Sequence, residues 1–102
     1  MSKSDTQTLE KEEVEVEVEE PKMYHVILLN DDYTPMDFVV YLLIEVFHKN
    51  SEDAWNITNS VHNNGSGIAG TYIKDIAETK SSLANKLAKA NGFPLETTIE
   101  EE

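Results

Sequence analysis

Cysteine and arginine are both absent from the 102-residue chain, and only eight lysines stand against twenty acidic residues. Without cysteine there are no disulfide bonds and no thiolate metal ligands, so packing alone must hold the fold together. A formal net charge of −12 without any arginine argues against nucleic-acid binding, because phosphate recognition depends on clustered Lys and Arg. A cationic or neutral partner is expected instead.

Long apolar runs are also missing. No stretch approaches the roughly 20 apolar residues that cross a bilayer, and the N-terminus lacks the basic-then-apolar pattern of a secretion signal. Residues 1–20 are rich in acids, whereas organellar transit peptides are rich in arginine and poor in acids. These absences predict a cytoplasmic protein that inserts into no membrane.

Residues 1–20 differ in character from the rest of the chain. They carry eight acids and two lysines and almost no large side chains, so apolar burial cannot offset the entropy of ordering them. The sequence therefore predicts a disordered acidic extension at 1–20 and one folded domain at 21–102. Valine and glutamate alternate from Val14 to Glu19, so a docked edge strand is the alternative for that stretch.

Hydrophobic periodicity predicts six elements after Pro21. Strands are expected at 23–30, 67–73 and 95–99. Apolar stripes at helical spacing predict helices from 35 to about 49, from 51 to the Asn63-Asn64-Gly65 stop, and from 75 to 90. The order β-α-α-β-α-β indicates an α+β fold in which three helices cover one face of a small antiparallel three-stranded sheet.

Local signals predict how the helices begin and which sides they bury. Thr34, Pro35 and Asp37 form an approximate capping box for the first helix. Ser51 is the expected N-cap of the second helix. The third helix is expected to bury one apolar side, made of Ile76, Ala77, Leu83, Ala84, Leu87 and Ala88.

Three acid or amide side chains, Asn30, Asp31 and Asp32, follow the first predicted strand where a helix is about to begin. Turn formation explains any one of them, since Asn and Asp are common turn residues. His62 lies at i+4 from Thr58 on the second helix, and its place near a helix C-terminus equally favours a simple electrostatic role. If the two helices pack together, an acidic rim with a histidine would surround an apolar hole.

Other chemistries fit these residues less well. Asp31, Asp32 and His62 are types that bind hard cations, but the loop lacks the ligand spacing and glycine of a calcium site, and no histidines share a zinc spacing. Nucleophile and phosphate-binding motifs are absent. We expect a binding protein without metal or cofactor. The alternatives are a metal-dependent or acid-base enzyme that uses these three residues, and a regulatory domain that binds through its acidic surface.

The segment MYHVILLNDDYTPMDFVV, with VH at 61–62, AETK at 77–80 and NGFPL at 91–95, resembles the ClpS family of adaptors, which present N-end-rule substrates to the bacterial Clp unfoldase-protease. The resemblance runs from about Pro21 to Ile99, and the block Asn-Asp-Asp-x-Thr-Pro-Met at 30–36 is highly specific to the family. It implies a monomeric ClpS-like domain that delivers N-degron polypeptides to a ClpA-type AAA+ unfoldase.

The resemblance also implies roles for individual residues. Asn30, Asp31 and His62 would hold the free α-amino group of the substrate, and its bulky first side chain, Leu, Phe, Tyr or Trp, would enter a hydrophobic pocket. The unfoldase would dock on a surface that includes Asp75 and Lys80. The pocket residues implied are Asp32, Thr34, Met36, Val39, Thr58, Val61 and Leu95.

Two positions depart from the family pattern. Thr58 stands where the family usually has methionine, which predicts a roomier and slightly more polar pocket. Such a pocket would relax discrimination against β-branched first residues or favour large aromatic ones, unless a neighbour such as Leu42 or Ile57 fills the space. Asp75 stands where glutamate is common.

Overall fold

The computed structural model describes residues 19–102, and all structural statements concern this range. Its elements are β1 (Met23–Leu29), α1 (Met36–Glu45), α2 (Ser51–Asn64), β2 (Ser66–Ile73), α3 (Lys74–Ala90) and β3 (Glu96–Glu101). The predicted α+β class and element order are confirmed. The extension expected at 1–20 lies almost entirely outside the described residues and stays a prediction.

The sheet has β1 at its centre, in the order β2-β1-β3, with both neighbours antiparallel to it. On β1, Val26 and Leu28 are fully buried beneath the helices, and the alternation of a strand turns Ile27 to the opposite side. We call that opposite side the open face. It carries His25, Ile27, Leu29, Ile68, Thr71, Glu96, Thr98 and Glu100.

The buried side of α3 differs from the prediction. Ala77 and Ala84 are completely buried, whereas Ile76 and Leu83 are 45% and 46% exposed, so placing these two larger residues on the buried side was wrong. Alanines let a helix lie close to the sheet, and a helix centred on them turns its flanking residues outward. α1 contributes Val39, Val40, Leu42 and Leu43 to the core, and α2 contributes Ala54 and Val61.

The N-terminus of α1 is built without the predicted capping box. No side chain caps the helix at Pro35. The hydroxyl of Thr34 instead donates to Asp31 Oδ2 at 2.8 Å. The Thr34 hydroxyl is therefore used in the turn that precedes α1 and does not form the capping box.

The ends of the other elements also shift slightly. Asn50, and not Ser51, caps α2, because its side-chain oxygen accepts the Asp53 backbone N–H at 2.8 Å. β3 continues through Glu101, two residues beyond the strand predicted to end at 99, and Glu100 and Glu101 pair with β1 although they remain exposed. Among residues 19–102, no helix combines the length and apolar character needed to span a membrane.

The C-terminus of α1 comes earlier than expected, at Glu45 instead of about Lys49. The Lys49 backbone N–H bonds to the Leu43 carbonyl at 3.0 Å, and His48 adopts a φ of 55°. This bond joins residues six positions apart, one more than in a Schellman motif, and histidine holds the left-handed position after the helix that glycine usually occupies.

Candidate functional site

A cavity of about 220 Å³ lies where the loop after β1 meets α1 and α2. The loop supplies an acidic and amide rim, and the two helices supply the other sides. Nine of the predicted site residues line it: Asn30, Asp31, Asp32, Thr34, Met36, Val39, Thr58, Val61 and His62. The structure therefore brings together the rim, the histidine and the apolar side chains.

Helical spacing places the residues that α1 and α2 contribute. Met36 and Val39 lie at i and i+3 on α1, and Thr58, Val61 and His62 lie at i, i+3 and i+4 on α2, so each helix turns one face to the cavity. Val39, Thr58 and Val61 are at most 5% exposed and form its floor. His62 is exposed and lies at the opening.

Asp31 organises the rim through three hydrogen bonds. Its Oδ1 accepts the backbone N–H groups of Tyr33 at 2.8 Å and Thr34 at 2.7 Å, and its Oδ2 accepts the Thr34 hydroxyl. Burial raises the pKa of Asp31, but these hydrogen bonds outweigh burial and hold the pKa below its ordinary value of 3.8. The side chain is thus charged at neutral pH. A carboxylate has about four acceptor sites, so one remains for a ligand.

Asn30 is fixed to the end of α2. Its backbone N–H donates to the Gly65 carbonyl at 2.9 Å. Gly65 ends α2 with a φ of 90°, a conformation that glycine adopts without steric cost. The glycine was predicted as a helix stop, but its bond to Asn30 could not be predicted, because it joins residues 35 positions apart whose proximity depends on the tertiary fold.

Thr58 uses its hydroxyl within its own helix. The hydroxyl donates to the Ala54 carbonyl at 2.8 Å, so it has no proton left to donate to a ligand. Leu42 and Ile57, the neighbours that could have filled the space, are not among the nine lining residues. At this position the cavity is bounded by a short side chain whose polar hydrogen is already bonded.

Leu95, unlike the other predicted pocket residues, is not among the residues that line the cavity. It is 4% exposed and belongs to the hydrophobic core. It borders a different hollow, together with Phe93 and Asn85. A role for Leu95 in the pocket therefore stays a prediction.

The two predicted docking residues on α3 have different surroundings. Asp75 is exposed in the first helical turn. Lys80 is half-buried, and its Nζ donates to the Val46 carbonyl at 2.7 Å and lies 5.3 Å from the centre of the Tyr72 ring. Lys80 thus joins α3 to the C-terminal end of α1, a contact that its sequence position did not indicate.

The chemistry of the cavity favours a ligand with a cationic end and an apolar body. Amide, carboxylate and imidazole groups supply lone pairs at the rim, and the floor is apolar. Within residues 19–102, no three His, Asp or Glu side chains converge closely enough to hold a metal ion. A small α+β domain with an apolar hollow and a few convergent polar groups has the features of a ligand-binding domain.

Comparison with known proteins defines the family. Residues 19–98 match the family model described as ATP-dependent Clp protease adaptor protein ClpS. The ClpS adapter of Acetivibrio thermocellus is 52% identical over 95 residues, which are 93% of this chain and 96% of that protein. The ClpS adapter of Clostridium acetobutylicum is 56% identical over 84 residues, 82% of this chain and 83% of its own.

A solved structure agrees with the sequence relatives. Agrobacterium tumefaciens ClpS2 bound to L-phenylalaninamide superposes with a TM-score of 0.78 at 43% identity, covering 81% of this chain and all of that one. This chain belongs to the ClpS family. Because the family consists of adaptors and not enzymes, the alternative of an enzyme that uses Asp31, Asp32 and His62 is wrong.

Proposed function

We propose that this chain is an N-degron adaptor. It binds the free α-amino group and the bulky hydrophobic first residue of a polypeptide, and it delivers that polypeptide to the ClpA-type AAA+ unfoldase of the Clp protease. It acts as a monomer in the bacterial cytoplasm, without metal, cofactor, nucleic acid or membrane. The observation that carries the proposal is the convergence of acidic rim and apolar floor on one cavity.

The rim suits an α-ammonium group. An α-ammonium is a compact cation with three N–H donors, and Asn30, Asp31 and His62 offer an amide oxygen, a carboxylate and an imidazole nitrogen as acceptors. Each charge-assisted hydrogen bond of this kind contributes about 1.5–3 kcal/mol. L-phenylalaninamide, the ligand of the ClpS2 neighbour, carries the same ammonium group beside a benzyl side chain.

The floor suits a large apolar side chain. The volume of the whole cavity, about 220 Å³, exceeds the roughly 150 Å³ of an engineered cavity that accepts benzene. Burying a Leu or Phe side chain there contributes about 1.5–3 kcal/mol. Either half alone gives weak binding, so selectivity requires both the ammonium and the side chain.

The second interaction of an adaptor is docking on the unfoldase, and we assign it to the surface that includes Asp75 and Lys80. Asp75 is free to meet a cationic group of the partner. The ammonium of Lys80 is already bonded to the Val46 carbonyl. We therefore infer that Lys80 supports docking mainly by fixing the position of α3 against α1.

The test of ligand capture is fluorescence anisotropy with a labelled peptide that begins with Phe and with its N-acetylated twin. Acetylation removes the cation, so only the free peptide should bind. Asp31→Asn removes the negative charge and should weaken binding by about tenfold or more. Asp53→Asn makes the same change at an exposed carboxylate in the first turn of α2, whereas His62 lies in the last turn of that helix. This control should leave affinity unchanged. Equal affinity for the two twins would refute the proposal.

A further inference from the structure

The open face of the sheet is an apolar surface that ligand capture does not use. Ile68 is 48% exposed and lies opposite Ile27 in the register of β1 and β2. Leu29 is next on the same side of β1. Ile27 and Leu29 are half-buried and Ile68 is exposed, and a contiguous apolar patch on a small protein often marks an interaction site.

The charges beside this surface select its occupant. Glu96 and Glu100 lie on the same face, on β3. The one ion pair found within residues 19–102 joins Lys22 to Glu101, so neither glutamate is neutralised by such a pair. A second copy of the chain, with its formal charge of −12, would add like charge. A polypeptide that mixes apolar residues with Lys or Arg complements the surface.

The open face also begins where the cavity rim ends. Leu29 directly precedes Asn30, and Ser66, its partner on β2, directly follows Gly65. The bond between Asn30 and Gly65 thus lies between the cavity and the open face. A chain that leaves the cavity over this edge can follow β1, whose seven residues span roughly 20 Å.

We propose that the open face binds the segment of a substrate that follows its N-degron, with preference for apolar and basic residues. This inference rests on the proposed function and adds to it a second contact beyond the first residue. The substrate is then read twice: by its ammonium and first side chain in the cavity, and by the composition of its next residues on the sheet.

Peptides of two lengths test this inference. A short peptide carries Phe and three neutral residues. Long peptides add eight residues that alternate either Leu with Lys or Gly with Ser. The Leu-Lys extension should tighten binding on the order of fivefold to tenfold over the short peptide, a change of about 1–1.4 kcal/mol. The Gly-Ser extension should give no gain.

Two isoleucine variants locate the contact. Ile68→Asp places a charge on the open face and should abolish the gain while short-peptide binding stays intact. Ile76→Asp makes the same change at an isoleucine of similar exposure on α3, 45% against 48%, and should keep the gain. Glu100→Gln should reduce it. An equal gain in Ile68→Asp, or equally tight binding of the N-acetylated Leu-Lys peptide, would overturn the inference.

The short peptide separates the two proposals. If it fails to bind the wild-type protein, ligand capture itself is refuted. If it binds but the Leu-Lys extension adds nothing, ligand capture stands and the role of the open face is refuted.

Discussion

Asp31 serves the fold and the site with one carboxylate. Its three hydrogen bonds shape the turn between β1 and α1, and the same side chain lines the ligand cavity with one acceptor site unused. Because the turn is most stable when Asp31 is charged, the side chain carries its charge at neutral pH and can accept a hydrogen bond from a cation. The charge that would attract the substrate is thus maintained by the fold itself.

Lowering the pH should remove the stability that the charged Asp31 side chain contributes. Because the folded state lowers the pKa of Asp31 below 3.8, the charged side chain contributes stability that is present above that value and is lost as pH falls through the folded pKa. Asp31→Ala should lower the free energy of unfolding by about 1 kcal/mol at pH 7. The difference from wild type should shrink below pH 3.8. Urea unfolding at a series of pH values measures it, and a constant difference would contradict the assignment.

Thr58 should determine how large a first residue the cavity accepts. Thr58→Met would occupy part of the 220 Å³, so affinity for a Trp-first peptide should fall by about tenfold, while a Leu-first peptide should lose less than about threefold. An Ile-first peptide should bind the wild type better than this variant. Competition anisotropy over a series of first residues measures the ranking.

Thr58→Val is the matched control, because it keeps the branched shape and replaces the hydroxyl with a methyl group. That hydroxyl is bonded to Ala54, so the ranking of first residues should not change. If Thr58→Met bound every peptide as the wild type does, the position would not limit the cavity.

The sequence predicted which residues form the site better than it predicted the hydrogen bonds that they make. The block at 30–36 indicated the rim, and helical spacing indicated that Thr58 and His62 share a face. The hydrogen bonds of Asp31 could not be read from composition, because a Thr-Pro sequence suits a helix cap as well as a turn. The tertiary fold decided between these uses of Thr34.

At the scale of elements, the long apolar stripes were reliable and the boundaries were not. The stripe of α1 predicted its buried side, but the helix ends early because the Leu43 carbonyl accepts the Lys49 N–H across a turn in which His48 is left-handed. On α3, the hydropathy pattern could not show that alanines and not Ile76 or Leu83 face the sheet. Close approach of a helix favours small residues, a preference that a hydrophobicity pattern does not contain.

The turn after α1 offers a stability gain. His48 has a φ of 55°, a left-handed conformation that costs roughly 1 kcal/mol for a residue with a Cβ. His48→Gly should raise the free energy of unfolding by about 0.5–1 kcal/mol, less than the full strain energy because glycine loses more entropy on folding. Denaturant unfolding gives the number.

The control for this change lies three residues earlier. Glu45→Gly, at the last residue of α1, introduces glycine into helical conformation and should lower stability by up to about 1 kcal/mol. Opposite signs at the two sites would assign the effect to the left-handed turn. Destabilisation at both would mean that His48 makes favourable contacts that outweigh its strain.

At the scale of the whole molecule, the two proposed docking residues should behave differently. Asp75→Lys should weaken binding to the N-terminal domain of the unfoldase by about tenfold, and because it puts a cation in the first turn of α3 it should lower the free energy of unfolding by about 1 kcal/mol or less. Lys80→Met removes the bond to Val46 and should lower the free energy of unfolding by about 1–2 kcal/mol. Calorimetric titration measures binding to the unfoldase, and thermal unfolding measures stability. Together they distinguish a residue that contacts the unfoldase from one that only holds α3 in position.

A control for Lys80 follows from the same helix. Lys86→Met changes an exposed lysine two turns away, so stability should move by less than about 0.5 kcal/mol. If Lys80→Met were equally neutral for stability yet still lost docking, its ammonium would act directly on the partner.

The hydrogen bond between the Asn30 amide and the Gly65 carbonyl joins the loop after β1 to the end of α2, two elements that both contribute residues to the ligand cavity. Its proton can exchange with deuterated solvent only when these two elements separate. A single backbone signal followed by NMR therefore reports how often the empty site opens. A slower signal with a bound peptide would measure how firmly the captured N-terminus holds the two elements together.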